Sequence, residues 1–181
     1  MEDFNEIYNQ ILGGAEMCFE NKYYVPTLMI IYSGIDIMSW LDLPEEKEQT
    51  GRTYFKNWVE KYLMPCQNLK CNSEDLYAAR CGILHSFSCY SSKTRNNIAE
   101  VIFYSTNPKQ NKRLEKINKS YKRKALAISI PGLLSAFNEG VKRFKNDIEN
   151  DVVKKDLVKK RIEKSCLSYV SYKSIPKIIY D

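Results

Sequence analysis

Between Val25 and Leu43 the chain is apolar nearly all the way round a helix: Leu28, Met29, Ile30, Ile31, Ile35, Ile37, Met38, Trp40 and Leu41 are interrupted by Ser33, Asp36 and Ser39. A helix that is hydrophobic on every side has to be surrounded. The stretch falls short of the roughly 20 clean apolar residues that a membrane span needs, so it predicts the central helix of a bundle. No membrane partner is expected. Asp36 is the costly residue in this stretch, because a buried carboxylate needs a counter-charge.

Helical spacing recurs on both sides. Phe4, Ile7, Tyr8, Ile11, Leu12, Ala15, Cys18 and Phe19 repeat at three- and four-residue steps, predicting a first helix over Asp3–Tyr24 with Asp3 as its cap. Pro26 fits the first turn of the second helix, and Pro44 with the Glu45-Glu46-Lys47-Glu48 run ends it. A third helix is predicted over about Thr50–Met64, and a fourth opens at Ser73 with Glu74 and Asp75, carrying Leu76, Ala79, Ile83, Leu84 and Phe87. From Pro131 helical spacing returns and is expected to run on to about Leu167. Between them, Val101–Tyr104 and Ala125–Ile128 read as two short strands or extended arms joined by a long loop. The expected fold is therefore all-α, an antiparallel bundle of four or five helices with a small β or extended insertion around residues 98–130. It forms a single domain over residues 1–170, with the basic part of the insertion at about 105–125 and a tail at 171–181.

Charge is unevenly placed. Residues 1–50 hold ten acids and two bases, whereas residues 108–124 hold eight bases and one acid, within a chain of net charge +6. The basic stretch, with Lys109, Lys112, Arg113, Lys122, Arg123 and Lys124, suits a polyanion such as RNA gripped through its phosphates; a solvated loop is the plainer reading. The acidic start Met1-Glu2-Asp3 lacks the positive-then-apolar layout of a signal peptide, so a cytoplasmic protein with reduced cysteines is expected.

The segment Tyr77-Ala78-Ala79-Arg80-Cys81-Gly82-Ile83-Leu84-His85-Ser86 carries the one histidine of the chain, five residues after an arginine. His85 has the side chain suited to proton transfer near neutral pH, and Arg80 is a permanent cation whose fork fits phosphate oxygens. Together they are a minimum set for cleaving RNA, a base for the 2′-hydroxyl and a cation for the phosphoryl charge. Five residues place the two side chains about 140° apart on an ideal helix. They converge only at a distorted helix end, or where two such helices meet across a dimer axis. Asp36 is the natural partner for Arg80, either orienting it or forming an ordinary core ion pair. Tyr77 and Ser86 flank the pair and could hydrogen-bond a phosphate or stack a base, or simply pack at a helix surface. Cys81, His85 and Cys89 fall at i, i+4 and i+8, a metal-ligand stripe if the helix runs that far, with Cys66 and Cys71 in reserve. The spacings match no common zinc module, and no metal or other cofactor is expected.

Arg80-Cys81-Gly82-Ile83-Leu84-His85 resembles the Arg-x4-6-His motif of the HEPN superfamily, the higher eukaryote and prokaryote nucleotide-binding domains. Four helices with the motif in the fourth resemble that fold. Tyr77, Ser86, Ile35-Asp36, Phe55, Trp58 and Tyr62 resemble its plasmid-encoded pEK499_p136-type branch, over about residues 1–150. The resemblance implies a homodimer whose two motifs form a metal-independent endoribonuclease site leaving a 2′,3′-cyclic phosphate, in a toxin or phage-defence setting with an antitoxin or other regulatory protein as a further partner. Many active members carry Asn, Asp or His after the arginine where this chain has Cys81. That departure favours the alternative, a catalytically silent domain that binds nucleotide, RNA or a partner protein.

Overall fold

The computed structural model describes residues 2–65, 69–120 and 125–165. In chain order they form α1 (Glu2–Glu20), α2 (Tyr24–Leu41), α3 (Arg52–Trp58), a π-helical turn (Val59–Leu63), α4 (Ser73–Ser86), α5 (Ser92–Arg95), β1 (Val101–Ser105), α6 (Pro108–Ser120), β2 (Ala125–Ser129), α7 (Ile130–Asn150) and α8 (Val152–Ser165). The fold is mainly helical with one two-stranded sheet.

As expected of its composition, α2 is central, packing against α1, α3, α4, α7 and α8. By length and hydropathy it could cross a membrane, yet half of it is buried inside the protein, where Ile31, Tyr32, Ile35 and Met38 are inaccessible to solvent. Gly34 allows the closest approach: a Cβ there would sit 2.7 Å from the Phe137 ring of α7 and 2.8 Å from Ile11 of α1. Around this axis Phe4, Trp58, Tyr62 and Phe144 interlock, with ring centroids 5.2 Å apart for Tyr62 and Phe144 and 6.0 Å for Phe4 and Phe144.

The boundaries depart from expectation where a local feature outweighs the period. The third helix does not run unbroken to Met64: after Trp58 the ladder widens, Met64 N–H donating to the Val59 carbonyl at 2.9 Å. The widened turn lies against Gly140 of α7, whose missing side chain leaves room for the Tyr62 carbonyl. Nor is the last helix continuous, because Asp151 is extended and its carboxylate accepts from the Lys154 N–H at 3.0 Å, ending α7 and starting α8. The expected tail at 171–181 lies outside the described residues.

The largest correction concerns the insertion. The strands exist and pair in parallel, Val101 opposite Ala125 through Ser105 opposite Ser129, but the connection expected as a long loop contains helix α6. Parallel strands need a crossover of a dozen or more residues, usually helical. The Lys, Arg, Gln and Glu that suggested a solvated loop are also good helix formers.

Candidate functional site

Helix α4 begins with a reciprocal cap. The Asn72 side chain accepts from the Asp75 N–H at 2.9 Å, and the Asp75 carboxylate accepts from the Asn72 N–H at 3.0 Å. Asp75 also accepts the Glu100 N–H at 2.8 Å, tying the approach to β1 to this helix start. At the other end Phe87 turns left-handed (φ 48°, ψ 41°), and the Ser88 N–H folds back onto the Gly82 carbonyl at 3.0 Å. Gly82 is required by that return: a Cβ there would lie 2.5 Å from the Ser88 carbonyl oxygen and 3.1 Å from that of Tyr90.

Within this last turn the expected residues come together inside one chain. Asp36 Oδ2 accepts from Arg80 Nε at 2.8 Å and pairs with Nη2 at 2.7 Å. Arg80 Nη1 lies 2.8 Å from His85 Nε2. The helix end and the length of the arginine side chain close the angular gap between positions 80 and 85. A guanidinium can only donate, so Nε2 is the accepting nitrogen and the ring proton sits on Nδ1. The Asp36 and Arg80 side chains are 18% and 20% exposed, whereas His85 is exposed. Burial pushes the Asp36 carboxyl above its ordinary range and the two hydrogen bonds from Arg80 only partly offset it. Burial also works against the Arg80 charge, and Asp36 more than compensates, so the guanidinium is held as a cation.

The flanking candidates divide. Cys81 interacts with both Arg80 and the Tyr77 hydroxyl, and burial, followed by Cys81, pushes the Tyr77 phenol up. The Tyr77 ring packs edge-on to Phe55 at 5.5 Å. Ser86 is exposed at the end of α4. Lys109, Lys112 and Arg113 are exposed on α6, which packs chiefly on the two strands. Lys122, Arg123 and Lys124 lie outside the described residues. The metal stripe is not formed: α4 stops at Ser86, before Cys89, and burial pushes the Cys71 thiol up to about 12, away from the thiolate a metal needs. Cys66 lies outside the described residues. Among the described residues no three His, Cys, Asp or Glu side chains gather as a metal cluster.

Sequence reading missed a second polar cluster on the same helix. Glu74 Oε2 pairs with Arg52 at 2.7 Å and Lys56 at 3.1 Å, and Lys93 lies 3.6 Å from Oε1. These cations come from α3 and α5, so no spacing within one segment announces them. Phe87, two residues after the histidine, is 73% exposed.

No family model, curated protein or solved structure matches this chain.

Proposed function

We propose that the protein is a HEPN-type, metal-independent endoribonuclease of the cytoplasm. The observation that carries this is the continuous Asp36–Arg80–His85 chain at the accessible end of α4. In this reaction the 2′-hydroxyl attacks the adjacent phosphorus. The 5′-oxygen leaves, and a 2′,3′-cyclic phosphate and a 5′-hydroxyl end result. His85 takes the 2′-hydroxyl proton and returns a proton to the leaving oxygen, while Arg80 neutralises charge on the phosphoryl oxygens.

The hydrogen bond from Arg80 gives this chemistry a gate. While Nη1 donates to Nε2, the basic lone pair is engaged. A bound phosphate competes for Nη1, releasing Nε2 as the base, and Asp36 keeps the guanidinium aligned through Nε and Nη2. Lys109, Lys112 and Arg113 add backbone attraction. A homodimer brings a second copy of the same pair, and an antitoxin or other regulatory protein is a fitting controller of such a nuclease.

Purified protein incubated with mixed RNA in EDTA tests the reading. Wild type should cut, leaving cyclic phosphate ends, and His85→Ala should lose about 10²–10⁴-fold in rate, the usual contribution of a general acid–base. Equal decay with both proteins rules the reading out. Growth arrest on expression, absent with Arg80→Ala, is the cellular counterpart.

The second reading, a silent domain that binds nucleotide, RNA or a partner protein, has its own support. The histidine's accepting nitrogen is capped in the free protein, and Cys81 occupies the position after the arginine. Saturable RNA binding by wild type without any cleavage would select it.

A further inference from the structure

The three cations gathered on Glu74 exceed what that carboxylate can balance. Arg52, Lys56 and Lys93 share one negative charge, a local excess of two. Lys56 and Lys93 are only 28% and 19% exposed, so that excess is partly withdrawn from water. Glu74 Oε1 is itself buried without a hydrogen-bond donor. The cluster is held in place from below: α5, which carries Lys93, is capped reciprocally by Ser91 and Thr94, and α3 packs on α4.

Its position is the second half of the observation. Glu74 and Arg80 are separated by six residues, about 9 Å along the helix at 1.5 Å per residue. Tyr77 spans the interval. Lys93 Nζ stands 5.7 Å over its ring, while its hydroxyl interacts with Cys81 beside Arg80. Along α4 there follow in order Glu74 with the cations that α3 and α5 bring to it, the Tyr77 ring, and the Arg80–His85 pair.

We infer that Arg52, Lys56 and Lys93 form a second phosphate-binding site, which holds the backbone of a single-stranded RNA whose next phosphates lead to Arg80 and His85. The inference deepens the nuclease reading and rests on it for the route of the strand. Binding at the cluster is measurable separately.

The probe is a fluorescent oligoribonucleotide blocked with 2′-O-methyl groups so that it cannot be cut, titrated by anisotropy against the full chain over a range of salt. The triple variant Arg52→Gln/Lys56→Gln/Lys93→Gln should bind at least about tenfold more weakly at low salt, and its log–log salt slope should flatten by about 0.7 for each phosphate it no longer neutralises. A dinucleotide, too short to span the interval, should bind wild type more weakly than the oligonucleotide does and should lose less on going to the triple variant. Arg52 is half exposed, so Arg52→Gln alone should fold normally and show a smaller flattening that Arg52→Lys restores. An unchanged salt slope in the folded variants overturns the inference, as does cluster-dependent binding of polyglutamate without binding of the oligonucleotide. Wild type that binds through the cluster yet never cuts RNA supports this site and removes the nuclease reading alone. Cutting and binding that ignore the cluster remove this site alone.

Discussion

Two arginines meet the central helix α2, and they are used in opposite ways. Arg161 of α8 is 7% exposed and donates to four main-chain carbonyls at the C-terminal end of α2 and just beyond: Leu41 at 3.1 Å, Leu43 at 2.5 Å, Pro44 at 2.8 Å and Lys47 at 3.3 Å. It closes the end of a helix dipole and gives a donor to the carbonyls of the buried Leu41 and Leu43, while the Pro44 carbonyl also accepts from the Lys47 N–H at 3.0 Å. Arg80 instead meets a single carboxylate and an exposed imidazole. The first guanidinium is saturated by fixed main-chain partners and serves the fold. The second is aligned by Asp36 on one side and meets an exposed imidazole on the other, the arrangement that the proposed role needs.

That contrast can be broken experimentally, and the largest effect should come from the structural arginine. Arg161→Met takes the donor from the buried Leu41 and Leu43 carbonyls and should cost about 3–5 kcal/mol of stability, the range for breaking a buried polar network. Denaturant unfolding checks the loss, and any RNA cleavage per folded molecule should persist. At Arg80 the order reverses. Asp36→Asn should cost only about 2 kcal/mol in the same assay, since it weakens one charge-assisted hydrogen-bonded pair that is partly exposed, while cleavage should fall more steeply than stability.

Gly82→Ala sharpens the comparison from the backbone side. Its Cβ cannot fit 2.5 Å from the Ser88 carbonyl, so the return of the chain over α4 must shift. Overpacking of this kind costs about 1–3 kcal/mol, and the Arg80–His85 hydrogen bond should loosen with it. The converse is Phe87→Gly, which relieves a left-handed conformation that suits glycine and should stabilise the fold by about 1 kcal/mol in thermal unfolding. A loss of stability instead would show that the exposed ring is held by its neighbours.

The smallest effects are those of pH, and the two carboxylates of α2 and α4 should differ in sign. Burial raises the Asp36 carboxyl despite Arg80, so its contribution to stability is full below the unfolded carboxyl range and is lost as pH rises through its raised folded value. Burial also pushes Glu74 up, but hydrogen bonds from Arg52 and Lys56 outweigh it and the net position is below the ordinary range. Its contribution is therefore present above that range and lost as pH falls through its lowered folded value. Unfolding followed from about pH 6 to about pH 3, spanning the carboxyl range, should show the deficit of Glu74→Gln shrinking on acidification. Over the same window wild type should gain relative to Asp36→Asn.

What the chain discloses in advance depends on how local the cause is. The burial of α2, the start of α4 and the pairing of Asp36 with Arg80 follow from residues whose cost or period is visible in a single segment. The meeting of Arg80 with His85 depends on the helix end, of which Gly82 is the only trace in the sequence. The cluster at Glu74 is hidden because its cations arrive from separate elements, as is the role of Arg161, one cation in a charged run. Helix α6 escapes for a different reason: charge reports solvent exposure and says little about whether the solvated backbone is coiled.

The close packing of Gly34 against Phe137 also constrains how the protein is made. The most apolar helix leaves the ribosome before the ring that covers its tightest face, which lies about a hundred residues further on. At about 5–20 residues per second, α2 waits roughly 5–20 s with only α1, α3 and α4 to shelter it. Conditions that slow synthesis should therefore burden this chain with aggregation sooner than they threaten the finished protein.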